Sequence, residues 1–452
     1  MKNHLLRFTP TFTLAVLGAL FCAWLVPGET AEVRNHLLGF PDSDAPSHLF
    51  RPWVLGTLWF LPALATLVYA CGSIMDRYIT RQFAGIFGVC LGALITIWLL
   101  MDLSDKIGDF RESANAMHTM ASFYGTRSPA VLLLLLPYSL LLAVLYCLGK
   151  LSGNREIIAM IQAGRSVIRI TLPLILCGIF FSLLSLGLNY HWAPVSEGKQ
   201  DEILSTAKGK TATEAVNVLY HAPANQRLWM IGAFPQDYHK GEALLNVEIT
   251  TTRPDRSLER RLTAKRALWD RETHHWTFEG AVIGDFQPNE APVFTTSPGP
   301  LVMESWPETP WQLIKPGLSP AYLGIPDLLT WLKARTNQQH HAEPAAYQTQ
   351  LHYRLALPFA CLVTVLLATP LGIHFTRRGP GGGVFLAVVL SAMMLLISSI
   401  SISVGEAGLA RPALAAWVPN LVFALLGAYL FRRRVTGQPI YLVLRRLFPA
   451  TD

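Results

Sequence analysis

Residues 132–174 read LLLLLPYSLLLAVLYCLGKLSGNREIIAMIQAGRSVIRITLPL, and their reading decides the fold. Two apolar runs, about 129–149 and 168–190, each approach the roughly 20 residues a bilayer-spanning helix needs. Between them lies a short basic loop that itself reads as an amphipathic helix, within 152–164 and centred on about Asn154 to Ala163. Ser152 or Asn154 can cap its start, and Glu156 falls in the first turn, where the helix dipole favours a negative charge. Ile157, Met160 and Ile161 share one face by their i, i+3, i+4 spacing. Gly164 can close the helix in a left-handed turn. A connector needs only a few polar residues. A helix with an apolar stripe and a carboxylate offers itself to a partner or to the bilayer surface.

Composition agrees with a membrane protein that carries a soluble part. Of 452 residues, 51% are hydrophobic and 15% charged, against about 25% charged in ordinary soluble proteins. The net charge of +7 sits beside the apolar runs, the pattern of cytoplasmic loops rather than of a nucleic-acid surface. No zinc-knuckle, basic-helix or aromatic RNA-binding motif accompanies it, so no nucleic acid is expected. All six cysteines (Cys22, Cys71, Cys90, Cys147, Cys177 and Cys361) lie in or beside apolar runs, which fits packing residues and not a disulfide framework or metal site.

Eight candidate spans follow: about 11–27, 52–72, 82–101, 129–149, 168–190, 351–375, 382–404 and 412–431. Basic residues place four segments in the cytoplasm: Arg77 and Arg81; Lys150, Arg155, Arg165 and Arg169; Arg377 and Arg378; and the arginine-rich tail from Arg432. The alternate loops are mixed or acidic, with Asp102, Asp105, Asp109 and Glu112 among Lys106 and Arg111 in one of them. Lys2 and Arg7 before a short apolar run admit a signal peptide, but Phe21 before Cys22 fits a lipoprotein cleavage site poorly. An uncleaved anchor is the expectation.

Residues 192–345 hold no plausible span. Strand-like alternation recurs in Arg227–Phe234, Leu244–Thr252, Arg261–Trp269 and Trp276–Phe286, punctuated by Gly, Pro, Asn and Asp. An antiparallel sandwich or jelly-roll of about 120 residues is expected on the outer side, followed by a polar helical connector over 320–345. The fold class is therefore a polytopic α-helical membrane protein, with six core spans plus two N-terminal extra spans, and an inserted periplasmic all-β jelly-roll-like domain. The divisions fall at 1–73 (extension), 74–191 (first three core spans), 192–345 (β-domain and connector), 346–435 (last three spans) and 436–452 (tail).

The chain offers little chemistry of its own. It holds no GxxxxGK[ST], HExxH or GxSxG motif, and the glycines of 379–383 read as a tight turn. The adjacent pairs His274–His275 and His340–His341 would point to opposite faces of a strand and are poor metal ligands. Ionisable residues deep within spans are nearly absent, which argues against a proton or ion pathway. No catalytic residue, metal or cofactor is assigned, and any energy consumed must come from a partner.

Several of these segments resemble one family in the same order. Residues 132–174 resemble the second span, coupling helix and third span of the LptF/LptG permeases, membrane subunits of the lipopolysaccharide export ABC transporter. MDRYITRQF (75–83) resembles the family's entry to its first span, and 351–383 and 414–434 resemble its last three spans. The central region, with the A-x-x-A-x-W run Ala264–Trp269 followed by Trp276, resembles its periplasmic jelly-roll. The resemblance covers about 74–435 and leaves the first 73 residues outside.

It implies a permease subunit that extracts lipopolysaccharide from the bacterial inner membrane and passes it to a periplasmic bridge for the outer membrane. It implies pairing with a second LptF/LptG-like permease, an LptB-like ATPase dimer beneath, and LptC-like and LptA-like jelly-roll proteins above. Glu156 falls at the family's coupling-helix acid, flanked by Arg155, Ile157, Met160 and Ile161, and Gly164 matches its helix-ending glycine. The family places lysines that meet lipid phosphates near the outer end of its first core span; Lys106 matches one such position, with Arg111 and Arg127 able to share that task. Asp102, Asp105 and Asp109 around Lys106 weaken the match. Two rival readings are a non-transporting scaffold whose β-domain binds a periplasmic partner, and an intramembrane enzyme, which would need paired ionisable groups within the spans.

Overall fold

A computed structural model describes residues 7–37, 45–112, 115–207, 213–222, 225–235, 241–253, 255, 257–270, 273–288, 291–304, 306–314, 319–336, 344–373 and 381–436. Helix α1 (Thr9–Leu37), the short α2 (Ala45–Leu49) and α3 (Arg51–Cys71) form an N-terminal hairpin. Gly18 lets the two long helices approach, since a Cβ there would stand 2.8 Å from the Trp59 carbonyl oxygen. The hairpin leans on α7 (Val167–Tyr190), where any side chain at Gly187 would collide with Leu58.

Helices α4 (Ile74–Arg111) and α5 (Ala116–Gly153) are each 38 residues long. At 1.5 Å per residue that is about 57 Å, nearly twice the ~30 Å hydrocarbon core of a bilayer. The acidic stretch from Asp102 to Arg111, expected in a loop, is therefore helical and continues α4. Within α4, Phe83–Met101 carries no charge and fits the hydrocarbon; the charged turns extend the rod beyond it.

Short α6 (Glu156–Gln162) and α7 follow, then α8 (Trp192–Ala207) leads toward the β-region. After it come α9 (Pro310–Ile314), a 3₁₀ turn at Pro320–Tyr322, α10 (Ile325–Thr336), α11 (Pro344–Ala356), α12 (Phe359–Gly372), α13 (Gly381–Glu406) and α14 (Pro412–Val435). Among the described residues seven helices are long and apolar enough to cross a membrane, and an eighth crossing results if the bent pair α11–α12 counts as one. That pair corresponds to the expected span 351–375 and is bent by 50°. Pro358 sits at the break: it lacks an amide hydrogen, and its ring excludes the carbonyl of the preceding turn. His340, His341, residues 374–380 and the tail beyond 436 lie outside the described residues; Gly381 opens α13.

One apolar core joins α4 through α7 with α12, α13 and α14, leaving the N-terminal hairpin outside it. Leu140, Val144 and Leu148 of α5 are its fully buried spine, met by Ile79 and Phe83 of α4, Leu174 of α7 and Val365 and Ala368 of α12. Gly372 brings α12 against α5, where a Cβ would lie 2.9 Å from that of Leu148.

The inserted β-region contains β1 (Thr213–Ala222), β2 (Arg227–Pro235), β3 (Leu244–Thr252), β4 (Leu258–Trp269), β5 (Trp276–Glu279), β6 (Val282–Asp285), β7 (Val293–Thr296) and β8 (Leu301–Met303), all paired antiparallel. β5 and β6 both line the same edge of β4, and β8 and β7 pair with them in turn. They act as two bent strands, so the sheet is an up-and-down meander of six rungs. Its buried face holds Trp229, Trp276 and Phe278, with the Trp229 and Trp276 rings 5.2 Å apart.

A crease crosses five of the six rungs at one height. Regular pairing skips Asn217 opposite Gly232, then Asn246, then Lys265, then Gly280. Asn217, Asn246 and Gly280 have φ of 52°, 53° and 65°, and a Cβ at Gly232 would lie 2.9 Å from that of Asn246. The inward residues of β4 shift accordingly, from Leu262 and Ala264 to Ala267. The His274–His275 pair lies in the β4–β5 turn rather than in a strand, with His274 at φ 59°.

Candidate functional site

The loop between the second and third core spans is built around Glu156. Helix α5 runs on through Ser152 and Gly153, so neither Ser152 nor Asn154 caps the next helix. Arg155 takes that place, in a left-handed conformation with φ 61°. The helix covers Glu156–Gln162 and is shorter than the expected 152–164 because α5 keeps the first residues. At the other end Gly164 has φ 85°; its amide donates to the Ile161 carbonyl at 2.9 Å and that of Arg165 to Met160 at 3.1 Å. This pair of bonds closes a helix with a left-handed glycine. Two left-handed residues thus set α6 apart from both spans.

The apolar stripe turns inward. Ile157 is 1% exposed and Met160 5%, both within the core of the membrane bundle, with Ile161 packed partly against it. The stripe therefore meets the chain's own helices. What faces out is Asn154, Arg155, Ala159, Gln162 and Ala163, with Glu156 half-buried at the edge.

Glu156 is held from two sides. The Tyr78 hydroxyl, from the second turn of α4, donates to Oε2 at 2.8 Å, and the Asn154 amide donates to Oε1 at 3.0 Å. Gln82 donates to the Tyr78 oxygen at 3.3 Å. Beside them Arg169 of α7 donates to Asp76 Oδ2 at 3.1 Å. Asp76 also completes a capping box: Ser73 accepts from its amide at 3.3 Å, and Asp76 Oδ2 accepts from the Ser73 amide at 3.0 Å. The first turn of α4, the short α6 and the start of α7 are thereby joined by polar contacts. Sequence reasoning missed Tyr78, Gln82 and the Asp76–Arg169 pair. The S-x-x-D signature at Ser73–Asp76 marks the start of α4, but nothing in the sequence aims Tyr78 at Glu156.

The second expected cluster lies at the far end of α4. Arg127 is paired with Asp102 at 2.6 Å and lies 4.9 Å over Trp98. The Lys106 ammonium sits 4.3 Å over Phe123, a ring that Arg127 also approaches at 5.7 Å. The two cations share one aromatic platform, whereas Arg111 stands exposed in the last turn of α4. Among the described residues no group of His, Cys, Asp and Glu is arranged to hold a metal ion.

A junction beneath the β-region adds residues that the sequence left unmarked. The Asn189 amide donates to the Arg354 carbonyl at 2.6 Å, and the buried Arg354 guanidinium donates to Asn189 Oδ1 at 3.3 Å and to the Ala321 carbonyl. Glu197 of α8 lies nearby; burial pushes its carboxyl pKa up, opposed by the charges of Arg354 and Arg127.

Residues 77–433 match the family described as lipopolysaccharide export system permease LptF/LptG. The lipopolysaccharide export system permease protein LptF of Escherichia coli (strain K12) is 23% identical over 371 residues, 79% of this chain and 94% of that protein. The protein of the same name from Shigella flexneri gives the same figures. The family match begins within α4, so the N-terminal hairpin lies outside it. The chain belongs to the LptF/LptG family: it is a multi-pass inner-membrane permease of the lipopolysaccharide export system, working with other components of that transporter.

Proposed function

We propose that α6 is the coupling element of this permease, and that its outward edge, with Glu156, Arg155 and Gln162, docks a separate LptB-like ATPase dimer on the cytoplasmic side. The observation that carries this reading is the isolation of α6. Left-handed residues bound it, its stripe is locked into the bundle, and its carboxylate is braced from α4. A push on α6 is thus transmitted to three membrane helices at once through packed side chains. ATP is hydrolysed by the partner, and this chain contributes the moving scaffold.

A second LptF/LptG-like permease completes the lipid cavity, and the β-domain is periplasmic, handing lipopolysaccharide to LptC-like and LptA-like jelly-roll proteins. Lys106 and Arg111 meet lipid phosphates at the outer end of α4, with Arg127 fixed by Asp102 as their support. The test is copurification of the ATPase with the Glu156→Lys variant, alongside the distribution of lipopolysaccharide between inner and outer membranes. Loss of the ATPase and accumulation at the inner membrane are expected. Intact assembly and unchanged export would overturn the coupling assignment.

A further inference from the structure

The N-terminal hairpin carries a groove that no part of the family match covers. It has a volume of about 990 Å³ and runs between α1 and α3, with Leu49 of α2 at one end. That is the upper end of the ~300–1,000 Å³ typical of ligand sites. Val26, Val33, Phe60, Leu61 and Leu64 supply its walls, while Gly56 and Thr57 keep the floor low. Along α1 the groove extends from Cys22 to Arg34, twelve residues or about 18 Å. One leaflet of a ~30 Å hydrocarbon core has nearly that depth.

The polar end is unlike the rest. Arg51 and Glu29 neutralise each other at 2.7 Å, both buried. Arg34, at the mouth, is exposed and makes no hydrogen bond or ion pair among the described residues. Trp53 lines the same mouth and is 75% exposed, the placement of an aromatic at a membrane boundary. With the N-terminus in the cytoplasm, this end faces the outer leaflet.

We propose that the groove is a holding site for the phosphorylated, acylated glycolipid cargo, with acyl chain between α1 and α3 and phosphate on Arg34. The assignment rests on the export reading above and adds a lipid site beside the core bundle. A guanidinium recognises phosphate through paired N–H donors, and an exposed one at the mouth is open to a headgroup. The groove is also tied to the route toward the β-domain. Tyr190 of α7 donates to the Ser47 carbonyl at 2.8 Å, and His48 of α2 stands 3.3 Å from Thr330 Oγ1 and 3.7 Å from Asp327 on α10.

The test places a photoreactive side chain at Leu61 in the full chain, reconstituted in phosphatidylcholine vesicles doped with bisphosphorylated lipid A. A crosslink to lipid A is expected. Arg34→Ala should lower it roughly tenfold and Arg34→Lys much less, as loss of a charge-assisted contact implies. Gly56→Leu should abolish it by filling the floor, because a Cβ there meets only the Cys22 sulfur at an ordinary 3.9 Å. Equal crosslinking in Arg34→Ala, or equal labelling of phosphatidylglycerol in vesicles lacking lipid A, would overturn the proposal. Failure of the export reading registers separately, as an unaltered lipopolysaccharide distribution between the two membranes on depletion of this permease, whereas the Leu61 crosslink is read in vesicles without the assembled transporter.

Discussion

The Tyr78 hydroxyl and the Glu156 carboxylate meet at 2.8 Å although 78 residues separate them. The bond is exposed, so its worth to folding is about 1 kcal/mol or less. Its consequence is directional, since it orients the carboxylate on α6 from the start of α4. Tyr78→Phe should leave the melting temperature within about 3 °C, yet reduce ATPase stimulation in the assembled transporter. A variant with full stimulation would show that the phenol does not position Glu156.

Gly164 closes α6 at φ 85°. A β-branched residue there pays about 1–2 kcal/mol for the left-handed backbone. Gly164→Val should therefore shift the end of α6 and weaken ATPase copurification more than Gly153→Val: a Cβ meets open space at both positions, but only Gly164 has a left-handed backbone. Quantifying the ATPase recovered per permease distinguishes the two.

In the β-region Glu308 accepts from Arg227 at 3.0 Å and from Asn225 at 3.3 Å, and its carbonyl accepts from the Trp276 indole at 2.7 Å. Burial pushes the Arg227 pKa down, and Glu308 opposes that shift. Glu308 is buried and Arg227 half-buried, so removing the carboxylate leaves the guanidinium without its partner at a cost of about 1–3 kcal/mol. Glu308→Ala should destabilise the β-region by that order, while Arg227→Met with Glu308→Leu should recover most of it. Denaturant titration followed by tryptophan fluorescence reads the difference.

Glu197 gives a pH dependence with a definite sign. Its folded pKa lies above the unfolded value because burial disfavours the charged form. The relative stabilisation is present below the unfolded pKa and is lost as pH rises through the folded pKa. Glu197→Gln should match the parent chain near pH 4 and melt higher than it near pH 8. Equal melting curves across that range would exclude a buried, titrating Glu197.

The membrane architecture was legible because hydropathy and loop charge report it directly. The β3 limits, Leu244–Thr252, coincide with the run read from its alternation. Strands β1, β7 and β8 were not singled out, since the short β7 and β8 are exposed or only partly buried and carry no clear alternation. The end of α4 was misread because acidic residues resemble a loop, whereas a helix leaving the bilayer can carry them freely. At the site, the type and place of Glu156 were readable, and so was the left-handed Gly164. The inward turn of Ile157 and Met160 was not: an amphipathic stripe states that one face is apolar but not what covers it. The Tyr78–Glu156 bond and the Asp76–Arg169 pair were invisible for a related reason, being brought to the loop by a hairpin of long helices rather than by local sequence.

The crease from Asn217 through Gly232 and Asn246 to Gly280 bears on how the sheet finds its pairing. In an unbroken antiparallel meander, a slip by one residue turns the buried set outward, and a slip by two restores it. Here a two-residue slip is no longer silent. It would bring Asn246 away from Gly232, the one neighbour without a side chain to obstruct it, and place a bulky residue there instead. Each creased strand thus carries a notch that fits its neighbours at a single offset, and the crease serves the folding chain as a key to its own alignment.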